Sequence, residues 1–556
     1  MAKWVFVLLL LVPPYLRGAE PVVVSFVDSL VKVFPDTAVH IAGGTSKIVS
    51  ARNGHSSVQL ALRAGEKRTV HVRVTAPKLR EGALESRIFR VGNVRVELHP
   101  KNTPLEEVVR PEVGEYPDPL FPLNGELQLE AGRTQAIWIS LFAPASVRPG
   151  IYHGAVEVKD GERTQKLPFE VEVFPATVPK EQKLWVTNWF WFERERMDKH
   201  YPKLKSDPER YWTILEKIGH TMADYRQNAM FIPVRMLVKA QLADGEIKYD
   251  FSEFDHWVEI FDRAGVSKLI EGGHLCGRDG GYDGKYVLPT DYIEDGKIAR
   301  KDLGADDPRV EPNLREFLRQ LHTHLSEKKW ISRYVQHVHD EPHGPEMPVY
   351  RRFVKIVNEE LPGVPTVDAI SMDENETYPD ETKIWVPLLG TFDNKVDVIE
   401  AHKSGGGQSW FYTCLHPTGK HLNRFVDFPL LKPRLLHWVN FKYGLTGFLH
   451  WGGNFWMDKP DEDLQPNWGG DLRLPAGDDA ITYPDPEGDG VFPSIRLEAM
   501  REGIEDYELL MEAAQRDPVR TKALVEKVMP GFTEYVRDVG EFRKYERELL
   551  EIAGGK

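Results

Sequence analysis

The sequence predicts a multidomain chain, an N-terminal all-β sandwich followed by a (β/α)8 TIM-like barrel with C-terminal helices. Three observations carry that expectation. The 556 residues are too many for one ordinary domain. The first third reads as short alternating strands broken by polar turns. From about residue 183 the pattern becomes strand, helix, strand, repeated eight times.

The N-terminus reads as an export signal over residues 1–19: Lys3, an apolar run from Trp4 to Val12, then Gly18 and Ala19 near the expected cleavage point. The expected product is exported, to a periplasm or the cell exterior. No later segment approaches the roughly 20 apolar residues of a membrane span. Residues 20–176 make the sandwich. Val70, Val72 and Val74 alternate with polar neighbours, as do Ile137, Ile139 and Leu141, then Val156 and Val158, then Leu167, Phe169, Val171 and Val173. Asp160-Gly161 between the last two runs is a hairpin signal, and Pro175 to Pro179 reads as a linker.

Residues 183–515 make the barrel, with strands near 184–190, 228–234, 266–271, 331–340, 364–370, 382–388, 409–414 and 446–451. Helical stripes follow most of them, clearest in Tyr211, Ile214, Leu215, Ile218, Met222 and Tyr225, in Leu314 to Leu325 and in Leu430 to Tyr443. The fifth unit offers Pro379 and no helix. A doubly wound open sheet is the alternative, but no Gly-rich phosphate loop follows the first strand. A polar loop, Lys459 to Gly490, leads into a helix with Leu497, Met500, Ile504 and Met511 on one face. Arg501 and Glu505 are spaced to pair along it. Residues 516–556 continue as a charged helical extension. Cys276 and Cys414 follow the third and seventh strands on opposite sides of the barrel mouth, so two free thiols are expected.

A net charge of −14 argues against a nucleic-acid partner. Function should lie where barrel enzymes place it, at the strand ends. Strand one ends in Asn188, Trp189 and Trp191, strand three in Glu271 and His274, and strand four in His337, His339, Asp340 and Glu341. Strand six offers Trp385, strand seven Trp410 and Tyr412, and strand eight Trp451, Asn454 and Trp456. Flat rings beside carboxylates and amides suit sugars, which present apolar C–H faces and hydroxyl edges. Asn188, Trp189, Trp191, His274, His339, Trp385, Tyr412, Trp451 and Asn454 are therefore the expected substrate contacts, and a glycan the expected partner. No cofactor or metal is called for. His337, His339 and His343 could imitate a metal site, and His337, His339 and Glu341 share a strand face by alternation, but lining a sugar subsite or packing in the barrel is the favoured role.

Glycoside cleavage usually takes two carboxylates. Strand seven, Gln-Ser-Trp-Phe-Tyr-Thr-Cys, supplies no acid, which leaves Asp340-Glu341, with Pro342 biasing Glu341 toward an extended backbone. Chain neighbours cannot readily act from opposite faces of a sugar. A substrate that supplies its own nucleophile removes the difficulty: a 2-acetamido carbonyl oxygen attacks the anomeric carbon, Asp340 holds the amide N–H and Glu341 protonates the leaving oxygen. Glu341 should then be raised above the ordinary carboxylate range. A glycosidase of other sugars using Glu271 or Asp368 as second carboxylate, and a non-catalytic glycan-binding protein, are the competing readings.

Ser494-Ile-Arg-Leu-Glu-Ala-Met-Arg-Glu-Gly-Ile-Glu-Asp-Tyr-Glu-Leu-Leu510, with Asp340-Glu341-Pro342 and Gly447-Phe-Leu-His-Trp451, resembles glycoside hydrolase family 123 and its wider relatives. The resemblance implies a β-sandwich joined to a catalytic barrel. It also implies retaining cleavage of β-linked N-acetylgalactosamine through an oxazoline-type intermediate, with the Asp orienting the acetamido group and the Glu as general acid/base. Tyr412 is, by geometry and analogy with related mechanisms, the hydroxyl expected on the acetamido carbonyl. The helix segment is expected to brace the barrel and not to touch substrate.

Overall fold

A computed structural model of the chain describes residues 21–40, 45–80, 82–371, 379–456 and 474–556. The expected export signal and much of the loop from Lys459 to Gly490 lie outside these residues.

The N-terminal region is two mostly antiparallel sheets. One orders Val23–Asp28, Gly54–Arg63, Thr134–Ala143, Glu85–Val96 and Gly114–Pro122; the other orders Ser46–Arg52, Arg163–Thr177, Gly150–Asp160, Arg68–Leu79 and Gly82–Ala83, with Glu126–Leu129 beside Arg68–Leu79. The alternating valines and isoleucines of both sheets meet in one core, with Val70, Val72, Val156, Val158 and Phe169 facing Leu60, Ile137 and Ile139. The Asp160-Gly161 hairpin forms in the register Asp160 to Arg163, with Gly161 at φ +59°. The expected linker begins inside the sheet, because the last strand runs to Thr177.

Eight short parallel segments follow: Trp185–Asn188, Ala229–Ile232, Leu269–Gly272, Tyr334–Gln336, Val367–Ile370, Ile384–Pro387, Gln408–Ser409 with Phe411–Tyr412, and Gly447–His450. They lie where the sequence puts them and are called strands one to eight below. They form three parallel ladders, one–eight–seven, two–three–four and five–six–seven. Single bridges, Gln336 to Thr366 and Leu388 to Tyr412, connect them. The expected closed barrel is thus not found as one continuous sheet among the described residues. The segments are too short for long ladders, and side-chain amides replace strand bonds: Val186 N–H donates to Asn228 Oδ1 at 2.9 Å and Asn188 N–H to Gln227 Oε1 at 3.1 Å.

Helices follow strands one to four and six to eight, among them Arg210–Asp224, Ser252–Ala264, Val310–Glu327, Met347–Glu360, Leu431–Lys442 and Ile495–Arg516. Among the described residues none follows strand five. Strand four is shorter than expected. Ile331–Arg333 is a tight turn and the ladder ends at Gln336, after which Leu275 and Cys276 N–H groups hold the chain through the Val338 carbonyl. After strand three an unforeseen antiparallel sheet, Gly277–Asp279, Lys285–Glu294 and Lys297–Gly304, stands beside strand four's end. Cys276 and Cys414 are buried free thiols.

Helix Ile495–Arg516 joins the two regions, and it is buried along most of its length. Ser494 caps it, accepting from Leu497 N–H at 3.2 Å. Arg496 grips Asp118 of the sandwich at 2.8 and 2.9 Å. Glu498 accepts from Ser57, Ser140 and Tyr225, and Glu505 from His55 and Arg226. Arg501 pairs with Glu498 at 2.5 Å and not with Glu505, since Glu505 is already taken by partners across the interface. Gly503 is required by packing: a Cβ there would run into the Arg434 carbonyl of the neighbouring helix.

Candidate active site

The end of strand four is held from beneath by a buried charged array. His337 lies between Glu271 Oε1, 2.9 Å from its Nε2, and Asp368 Oδ1, 3.2 Å from its Nδ1, and all three have no exposed surface. Trp189 Nε1–H donates to Glu271 at 2.7 Å, and the Tyr350 hydroxyl to Asp368 at 2.7 Å. Asp368 also accepts from the backbone N–H groups of Val338 and His339, at 3.0 and 3.3 Å. Burial opposes charge on His337, but the bonds to Asp368 and Glu271 outweigh it and raise the ring to about 9. An imidazolium between two carboxylates thus fixes the backbone that leads into Asp340-Glu341. The same array removes Glu271 and Asp368 as working second carboxylates, because neither has surface a sugar could reach.

Asp340 keeps part of its surface open to solvent while protein surrounds it on its other sides. That crowding, then the charge of Glu341, raises its carboxyl above the ordinary range, against the pull of Arg278. The upward shift was expected on Glu341; the one seen in the structure is on Asp340. Glu341 is half-buried, and its carboxylate accepts a short hydrogen bond from the Tyr412 hydroxyl. Burial and the neighbouring Glu341 hold Tyr412 well above its ordinary value, so the phenol stays a donor.

The backbone of Glu341 departs from expectation. Its φ is +45°, in the left-handed region, although Pro342 favours an extended residue before it. Such a conformation costs about 1–3 kcal/mol and persists where the surroundings over-determine it. Here the Glu341 carbonyl is gripped twice, by Arg278 Nη2–H at 2.7 Å and His343 Nδ1–H at 2.8 Å. The turn also breaks the alternation that would have put His337, His339 and Glu341 on one face. His339 stacks on Tyr286 at 3.8 Å and donates from Nδ1 to the Asp340 carbonyl at 2.7 Å; burial and Arg278 lower it to about 3. His343 stacks on Tyr282 at 4.2 Å. His337, His339 and His343 point three ways and offer no shared ligand set. One other group, His274, His337 and Asp368, has ligand atoms within 4.8 Å of one another, but both His337 nitrogens already face carboxylates.

The expected substrate contacts divide. Asn188 is buried and clamps Gln227 and Arg424, and Asn454 is buried and bonds both main-chain groups of Trp191, at 2.7 and 3.1 Å. Both amides are spent on holding loops together. Trp189 and Trp385 are buried, the latter donating to the Pro379 carbonyl and stacked on His402 at 3.7 Å, and His274 is wedged between Trp189 and His337. Trp410 and Trp456 are core. Trp191 and Trp451 remain half-open, with Trp191 Nε1–H on the Trp451 carbonyl at 3.1 Å and both rings against Phe455. Tyr412 reaches the acidic pair directly.

Sequence reasoning missed Arg278 and Tyr286 on the unforeseen sheet, Tyr282 in the turn between its first two strands, and a second acidic pair, Asp478-Asp479. Asp478 and Asp479 are buried beside Arg424, and burial raises them to about 8 and about 7. The signal for the sheet was length: more than 30 residues separate strand three from the helix beginning at Val310, far beyond a usual βα loop.

A sequence profile described as glycoside hydrolase 123, catalytic domain, matches residues 197–513. Among solved structures, a family 123 glycoside hydrolase from Clostridium perfringens, studied for glycolipid glycan hydrolysis, superposes with a TM-score of 0.73 at 15% identity, covering 96% of this chain and 97% of that one. An Ig-like-domain GH10 xylanase from termite gut (10% identity, 66% and 90% covered, TM-score 0.30) and a GH2 β-galacturonidase from Eisenbergiella tayi (8%, 81% and 68%, 0.31) are far weaker likenesses and carry no argument. Among curated proteins none matches the sequence. The match over more than half the chain, together with a shared fold along nearly all of it, makes this protein a glycosidase belonging to glycoside hydrolase family 123.

Proposed function

We propose that the enzyme cleaves β-linked N-acetylgalactosamine, or a close N-acetylhexosamine, by substrate-assisted retaining catalysis. Asp340 accepts the acetamido N–H and aims its carbonyl oxygen at the anomeric carbon. As that bond forms and the glycosidic bond breaks, Glu341 gives its proton to the leaving oxygen. Water then opens the oxazoline, with Glu341 taking its proton. The observation that carries this reading is the division of carboxylates: Glu271 and Asp368 are locked onto buried His337, while adjacent Asp340 and Glu341 stand at the strand end. The upward shift on Asp340 fits a resting pair that holds a proton. An acetamido N–H favours ionised Asp340 and leaves that proton for Glu341.

A panel of methylumbelliferyl β-glycosides with and without the acetamido group tests the reading. Turnover confined to acetamido sugars, with inhibition by a thiazoline mimic of the cyclised intermediate, is expected. Equal turnover of sugars lacking the group would end it. A glycolipid glycan is the first natural substrate to try. The same reading takes the eight parallel segments as one (β/α)8 ring spanning residues 183–515, supported by the two linking bridges, between a sandwich of residues 20–176 and an extension of residues 516–556. It also takes residues 1–19 as an export signal; a tagged full-length chain should be recovered outside the cytoplasm without them.

A further inference from the structure

We infer that Arg278 is a positioning residue for the general acid: it holds Glu341 in the left-handed conformation from which its carboxyl meets the leaving group. This rests on the function proposed above. Arg278 lies on Gly277–Asp279, the first strand of the sheet inserted after strand three. Its Nη2–H reaches the Glu341 carbonyl at 2.7 Å, and its guanidinium lies over the Tyr282 ring at 4.9 Å. His343 covers Tyr282 as well, at 4.2 Å, and donates from Nδ1 to the same carbonyl. With that proton on Nδ1, the 3.4 Å approach of Arg278 to the same nitrogen is donor against donor, so the carbonyl is what both groups hold. The Tyr282 hydroxyl, 2.7 Å from Ser371 Oγ, ties this stack to the end of strand five.

The inserted sheet is itself anchored. Arg235 donates to the Pro289 carbonyl at 2.7 Å and pairs with buried Asp291 at 2.9 Å, while Tyr286 stacks on His339. The Glu341 carbonyl therefore meets a fixed donor pair, which can maintain a backbone that Pro342 disfavours. Without Arg278 the residue can relax toward an extended φ, and its carboxyl leaves the leaving-group oxygen and Tyr412.

The test is a leaving-group series of dinitrophenyl, methylumbelliferyl and phenyl β-glycosides of N-acetylgalactosamine, read as kcat/KM, which reports the steps through departure of the aglycone. Arg278→Met should lose about 10²-fold on the phenyl glycoside, and little on the dinitrophenyl glycoside, whose leaving group needs no proton. Arg278→Lys, which keeps a donor, should recover part of the loss. If Arg278→Met fails to fold, His343→Ala and Arg278→Lys carry the same test with smaller slopes. A uniform loss across the series, or none, overturns the inference. Glu341→Gln measured alongside separates the two claims: if it lacks the leaving-group dependence, the proposed function fails; if it has that dependence and the Arg278 and His343 variants do not, only the positioning role fails.

Discussion

Two regions of this protein gather carboxylates: the interface helix buries most of its own, and the mouth leaves Asp340 and Glu341 partly open. At the interface helix burial pushes the buried carboxylates up: Arg501 and the Tyr225 hydroxyl still lower Glu498, and His55 and Arg226 lower Glu505, whereas burial outweighs Arg434 at Glu502 and Asp506. At the mouth, crowding by protein and then the charge of Glu341 raise the Asp340 carboxyl, and the pulls of Arg278 and His337 do not offset them. Residue type does not separate a structural carboxylate from a working one. What sets Asp340 and Glu341 apart is that they keep surface a sugar can reach, while the buried carboxylates of the helix do not.

The largest expected effect is on activity. Glu341→Gln should lower kcat/KM on a phenyl β-glycoside by about 10²- to 10⁴-fold with the melting transition unchanged. Arg501→Met should do the reverse. It leaves Glu498 buried without its cation, at a cost of about 3–5 kcal/mol in denaturant unfolding, while kcat/KM per folded molecule is retained. A loss of turnover in folded Arg501→Met would erase the distinction between the regions.

The array under the mouth gives stability a pH dependence. His337 is raised in the folded protein to about 9, above its unfolded value of about 6.5. The stability it contributes is fully present below the unfolded value and is lost as pH rises through about 9. Stability measured from pH 7 to 10 should fall across that window, and His337→Phe should flatten the fall while lowering stability throughout. The smallest effect on stability is expected for Asp340→Asn. A raised carboxyl contributes stability at acid pH that disappears as pH climbs above the ordinary carboxylate range. Removing its charge should therefore raise Tm slightly at neutral pH while activity collapses; an unchanged or lower Tm would mean that Asp340 is not strained by its neighbours.

Much of this was legible in the chain. Alternating Val70, Val72, Val74 and Ile137, Ile139, Leu141 read correctly as sheet faces, because a period of two is a local property that burial on one side enforces. The eight strand positions were legible by a different signal, short apolar runs between turn residues, because these strands are buried on both faces. Arg496, Glu498 and Glu505 stood out as a motif, yet their partners Asp118, Ser57 and His55 lie hundreds of residues away, and no spacing rule reaches that far.

The sequence by itself determined the order of the elements, the aromatic character of the strand ends and the presence of Asp340-Glu341 where strand four stops. Only the tertiary structure decided which carboxylates are free to act. Asn188 and Asn454 became clamps, Glu271 and Asp368 became counter-ions of His337, and Glu341 took a left-handed turn against the preference Pro342 imposes. The physical reason is that a side chain's chemistry follows from what surrounds it in space. Hydrogen bonds from Arg278 and His343, donated across the fold, outweigh a local backbone preference of a few kcal/mol.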